Sequence, residues 1–142
     1  METSELAVQD FFQRPTGASG WGVHRIAPWV MLPLGLIGLW TGRPALAIFL
    51  ILGLLSIYMV SWARKNPIVR LSPEHLEVKA APLASLRVIP YEEIDRLEVV
   101  SPTRAKLWLK AGGTQVLPFA ALEPEQRTAL TTAINARLGS VS

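Results

Sequence analysis

Arg104, Lys106, Trp108 and Lys110 stand at alternating positions. In an extended strand that spacing puts all four on one face, because successive side chains point to opposite sides. Three cations beside an indole suit an anionic lipid headgroup or an acidic segment of a protein partner. The same residues also make an ordinary solvated sheet face, so the pattern alone selects neither. A second group, Glu92, Glu93, Asp95 and Glu98, brings carboxylates close in sequence. Paired carboxylates serve acid–base catalysis or metal binding. Here, beside Arg96 at a turn and strand start, they read as a charge-balanced edge. His24 and His75 lie far apart, and neither has a metal-ligand spacing with another residue. No Walker A loop, Gly-x-Ser-x-Gly turn or dinucleotide fingerprint is present. The absence of cysteine excludes disulfides, thiolate metal sites and cysteine nucleophiles. These residues predict no enzyme, no cofactor and no metal.

The elements that must position this chemistry divide the chain. Of 142 residues half are apolar and 18% charged, with a mean hydropathy of +0.31. From Ile26 to Ala63 the only charge is Arg43, whereas from Asn66 onward charges recur every few residues. That distribution predicts a membrane anchor followed by a small water-exposed domain. Disordered and collagen-like classes are excluded by the apolar fraction and its periodicity. The formal charge of +3 invites a nucleic-acid reading. Residues 66–142, however, carry nine basic side chains against eight acidic ones, so the domain is near neutral and no nucleic-acid partner is predicted.

Two apolar runs form the anchor, Ile26–Trp40 and Ala45–Ala63. A span needs about 20 residues. The second run meets that length, and the first does so when extended from Val23 to Gly42. Pro28 falls near the first turn, and Pro33 should kink the helix. Thr41-Gly42-Arg43-Pro44 is so short that the helices must be antiparallel, a hairpin over residues 23–65. Arg14 and Arg25 precede the first run; Arg64, Lys65, Arg70 and Lys79 follow the second; only Arg43 lies in the turn. The excess of base around the outer ends predicts a multi-pass protein with both termini in the cytoplasm. Trp21, Trp40 and Trp62 suit an aromatic belt. Gly38 and Gly42, with Gly35 near the same face, have the small-xxx-small spacing that lets helix backbones approach closely, and Gly53 and Ser56 can receive the first helix. Neither run holds an ionisable group at mid-depth, which argues against a pump or ion-coupled transporter. Residues 1–22 form an N-terminal cytoplasmic segment, in which Glu2–Gln13 reads as a short surface helix or a frayed tail.

Residues 66–142 read as a separate domain. Short alternating runs end at Ser72-Pro73, Pro82, Pro90, Ser101-Pro102 and Gly112-Gly113. Spacings near ten residues with such punctuation predict antiparallel strands. The pattern then changes period. Glu123-Pro124-Glu125 opens a helix with proline and acids where the first turn favours them. Leu130, Ile134 and Leu138 form its apolar stripe, and Gly139 reads as its stop.

Six or seven strands and one C-terminal helix resemble the pleckstrin-homology-like fold. More specifically, the chain resembles small bacterial membrane proteins that carry a two-helix hairpin followed by a bacterial PH-like domain. The resemblance is carried by Ile68-Val69-Arg70-Leu71-Ser72-Pro73-Glu74-His75-Leu76, by Val88-Ile89-Pro90-Tyr91-Glu92-Glu93-Ile94-Asp95-Arg96-Leu97, and by Leu117-Pro118-Phe119 with the final helix. It implies an α+β membrane protein whose PH-like antiparallel β-sandwich or barrel lies at the bacterial inner membrane. Together with the lack of catalytic groups, it leads to the expectation of a membrane-anchored, non-enzymatic interaction or scaffold protein. Its contacts would be membrane lipids and a protein partner or a second copy. The alternative is a subunit of an oligomeric assembly packed through the hairpin.

Overall fold

The computed structural model describes residues 7–13 and 21–141, and of residues 21–25 the backbone alone. Glu2–Leu6, Arg14 and the side chains of Trp21, His24 and Arg25 therefore lie outside the described residues. Two compact units form: Pro15–Lys65, and Met1–Arg14 together with Asn66–Ser142.

The first unit is a helical hairpin of α1 (Trp21–Trp40) and α2 (Pro44–Lys65). Pro28 and Pro33 both lie within α1. The turn is built by Gly42 at φ +66°. Its N–H donates to the Leu39 carbonyl at 3.3 Å, and the Arg43 N–H donates to the Gly38 carbonyl at 2.8 Å. These are the two bonds of a Schellman cap, which needs a left-handed residue at this position. Pro44 then opens α2 where its missing N–H would have no helical partner.

The seam between the helices is made of leucines seated on glycines. A Cβ on Gly35 would stand 2.5 Å from the Leu50 nitrogen, one on Gly38 2.5 Å from Leu46 Cβ, and one on Gly53 2.8 Å from Leu32 Cδ2. At Gly35 and Gly38 the obstructing atoms are backbone and Cβ, so the close approach there requires glycine; at Gly53 the neighbour is the flexible end of Leu32. Gly42 does not share this seam: nothing lies within 4 Å of its Cβ position, and its conformation serves the turn instead. α2 is long and apolar enough to cross a membrane, and little of it is buried. Such exposure does not suit a core helix of a water-soluble fold. Among the described residues the apolar part of α1 is shorter, Ile26–Trp40.

The second unit is α+β, with two antiparallel sheets and a C-terminal helix. One sheet has the order β1-β2-β3-β4 and the other β5-β6-β7. The strands are β1 (Gln9–Phe11), β2 (Val69–Leu71), β3 (His75–Val78), β4 (Arg87–Pro90), β5 (Ile94–Ser101), β6 (Arg104–Leu109) and β7 (Thr114–Leu117). The last six fall between the proline and glycine signals. Gly112 and Gly113, at φ +92° and +96°, turn the chain from β6 into β7. One apolar core joins both sheets to α3 (Pro124–Val141), with Leu71, Leu76, Leu107, Leu117, Phe119, Leu130 and Ile134 almost wholly buried.

β1 corrects the reading of the N-terminal segment. Gln9–Phe11 is neither a surface helix nor a tail but the edge strand beside β2, in the register Gln9↔Leu71 and Phe11↔Val69. Phe11 enters the core, the Ile68 N–H donates to its carbonyl at 2.9 Å, and Asp10 accepts from Arg70 Nε at 2.7 Å. The domain expected at 66–142 thus takes its seventh strand from the segment expected at 1–22. α3 differs as well. It runs through Gly139 to Val141, since Gly139 adopts no positive φ and stops nothing.

Candidate functional site

The alternating basic residues fall on β6, where Ala105 and Leu107 are buried and Arg104, Lys106 and Trp108 take the other face. Lys110 stands past the strand end, in the turn toward Gly112-Gly113, and its backbone N–H donates to the Glu93 carbonyl at 2.9 Å. The strand face thus presents three of the four residues. The register builds this face across three strands: Arg96, Trp108 and Thr114 form one row, and Glu98, Lys106 and Val116 form the next.

The chemistry of the face is set by these cross-strand neighbours. Trp108 is held from both ends: its indole Nε1 donates to Glu98 Oε2, and the Arg96 guanidinium lies 4.9 Å from the ring centroid. Asp95 approaches Arg96 at 3.5 Å. The indole is therefore an organised wall rather than a loose side chain. Arg104 and Lys106 have no carboxylate within ion-pair distance among the described residues. An anionic group would meet those two cations beside a fixed aromatic ring. Val116 adds an exposed apolar edge.

The acidic residues do not assemble a site. Glu92 and Glu93 are exposed on the 3₁₀ turn Tyr91–Glu93, Asp95 faces Arg96, and Glu98 is bound to Trp108. His75 Nε2 lies 2.8 Å from Glu77 Oε1. Among the described residues no group of three or more His, Cys, Asp or Glu is placed to hold a metal. Gly35 and Gly38 pack against Leu50 and Leu46 of their own chain.

One group escaped the sequence reading. Arg137 on α3 is 2% exposed. It donates from Nη1 to the Ser72 carbonyl at 2.6 Å and to Tyr91 Oη at 3.0 Å, and from Nη2 to the Ala7 carbonyl at 2.8 Å. Tyr91 in turn donates to the Ser72 carbonyl at 3.0 Å. This node ties α3, the β2–β3 turn, the 3₁₀ turn at Tyr91 and the segment just before β1 together. The signal was available: position 137 continues the stripe of Leu130 and Ile134 at helical spacing, and a cation on an apolar stripe needs acceptors. Arg127 makes a second, more open clamp, from Nε to the Phe119 and Leu122 carbonyls at 2.7 and 3.0 Å.

Burial pushes the Tyr91 phenol above its ordinary value of 10.0, against the opposing pull of Arg137. A raised pKa in the fold means that the neutral phenol stabilises it. That contribution is complete below about pH 10 and is lost as pH climbs through the folded value. The wild type is expected to lose thermal stability as pH rises above about 10. Tyr91→Phe should start lower and show a shallower alkaline fall. Parallel curves for the two proteins would remove Tyr91 as the titrating group.

No family model, curated protein or solved structure matches the chain.

Proposed function

We propose that the chain is a two-span, non-enzymatic interaction protein of the bacterial inner membrane. In this reading both termini are cytoplasmic, and a PH-like domain offers the outer face of β5–β7 to an acidic segment of a protein partner. One observation carries the anchor part of the reading. β1 precedes the hairpin, β2 follows it, and the two are hydrogen-bonded neighbours. Residues that share a sheet share a compartment, and only an even number of crossings returns the chain to it. With α2 long and apolar enough to span, the pairing favours a second crossing by α1 in spite of its two prolines. Arg64 and Lys65 at the end of α2, against Arg43 alone at the turn, favour the cytoplasmic side for the domain. The absence of cysteine makes the topology simple to test. A cysteine at Thr41 should react with an impermeant maleimide in spheroplasts, and one at Glu125 only after lysis; the opposite pattern overturns the anchor.

Arg104, Lys106 and the fixed Trp108 support a protein partner for the domain face. A rigid indole wall with two adjoining cations suits an acidic peptide better than it suits insertion into lipid. A photo-crosslinking residue at Val116 is expected to yield a discrete adduct in intact cells. Reversing Arg104 and Lys106 to glutamate should reduce that adduct about tenfold, with a smaller loss as ionic strength rises and screens the contact. No adduct, or one indifferent to the reversal, returns the face to a plain solvated surface. Binding of the domain to anionic vesicles instead would assign the face to lipid.

A further inference from the structure

Toward the end of the hairpin away from its turn, a groove lies alongside the packed helices. Pro28, Trp29 and Leu32 of α1 face Ile57, Val60 and Ser61 of α2 across about 530 Å³. The groove residues of α2 follow helical spacing, and the next turn of the same face brings Arg64, with Lys65 beside it, to the end of the groove. Residues 21–65 contain no Asp or Glu, so these two cations have no carboxylate within their own unit. Apart from Ser61 the other walls are apolar, and they open outward, with Trp29 83% and Ile57 45% exposed.

Mostly apolar walls closed at one end by two cations with no carboxylate in their own unit have the charge and shape pattern of an anionic phospholipid. Basic pockets between membrane helices on the cytoplasmic side hold such headgroups. The volume lies within the range of about 300–1,000 Å³ that ligand pockets occupy. We propose that the groove binds one anionic phospholipid molecule, with its phosphate on Arg64 and Lys65 and an acyl chain along Leu32, Ile57 and Val60. This rests on the hairpin standing in the membrane, as proposed above. It differs from general attraction of base to an anionic leaflet, because it requires the groove as well as the charge.

The test uses the full chain in nanodiscs of phosphatidylethanolamine with a minor share of phosphatidylglycerol, released gently into a native mass spectrometer. One phosphatidylglycerol per chain is expected to be retained preferentially. Arg64→Gln with Lys65→Gln should lower its retention at least about fivefold. Val60→Trp and Ser61→Leu fill the groove and keep both cations; helicity by circular dichroism verifies that each remains folded, and each should lower retention comparably. Arg43→Gln, at the far end of the hairpin, should not. Equal retention of both lipids, equal loss in Arg43→Gln, or full retention in both folded groove-filling variants overturns the site. Alkaline extraction separates the two levels. A chain extracted from vesicles loses the anchor and the site together, whereas a chain that resists extraction but shows no selective retention loses the site alone.

Discussion

Arg137→Ala is expected to lower the stability of the domain by about 2–5 kcal/mol. The side chain is 2% exposed and makes three hydrogen bonds of 2.6–3.0 Å, all to neutral acceptors. Bonds from a charged donor contribute about 1.5–3 kcal/mol each. Alanine removes all three, leaves the Ala7 carbonyl short of this donor and opens a void against Tyr91. Relief of the buried charge works in the opposite direction, since an ion costs several kcal/mol to desolvate. That relief lowers the net effect without reversing it, because guanidinium is weakly hydrated and its fork serves acceptors on separate segments. Arg137→Lys tests the fork. One ammonium keeps the charge but cannot reach Ser72, Tyr91 and Ala7 together, so lysine should recover little. For a domain of this size the alanine variant should melt at least about 8 °C lower. A shift under about 4 °C would show that the node is not a principal stabiliser.

Phe11→Ala should be similarly severe, about 3–5 kcal/mol, the usual cost of emptying a buried phenylalanine site. The ring is 7% exposed within the core, and its strand holds the edge of β2 through the Phe11↔Val69 pairing. Phe12 supplies the control. It follows directly, is 37% exposed and lies outside the strand, so Phe12→Ala should change stability by no more than about 0.5 kcal/mol. Thermal melts of the two variants should separate clearly. Equal, small shifts would mean that β1 rests on the sheet without belonging to its core. Asp10→Asn should fall between them and closer to Phe12→Ala, since the Arg70 pair is partly exposed and such pairs contribute about 0–1 kcal/mol.

The contrast between these residues explains what the sequence could reveal. Strands β2 to β7 were legible because proline and glycine bracket them and because Leu76 and Val78, or Ala105 and Leu107, alternate with polar neighbours. The hairpin was legible from unbroken hydropathy and a turn too short for any other path. β1 was not, because three residues carry too little alternation to indicate a strand, and its partner lies on the far side of the hairpin. Arg137 was obscured for a different reason. A charge near the C-terminus of a helix ordinarily faces water, and only the positions of Ser72, Tyr91 and Ala7 make burial tolerable. Gly139 was read as a stop, yet glycine ends a helix only where the chain then adopts a left-handed turn. For the candidate face, spacing identified Arg104, Lys106 and Trp108; the bracing of the indole by Glu98 and Arg96 depended on a cross-strand register that no local pattern specifies.

The pairing of β1 with β2 also bears on biosynthesis. Gln9 leaves the ribosome 62 residues before its partner Leu71, with the whole hairpin made between them. On the proposed topology, a chain that inserts one helix and not the other strands β1 across the bilayer from β2. Its sheet then lacks an edge, the place of Phe11 in the core is vacant, and the N–H and C=O groups of β2 stand open to pairing with other chains or to proteolysis. On that topology, completion of the sheet would depend on both helices having crossed, which ties folding of the domain to correct threading of the hairpin.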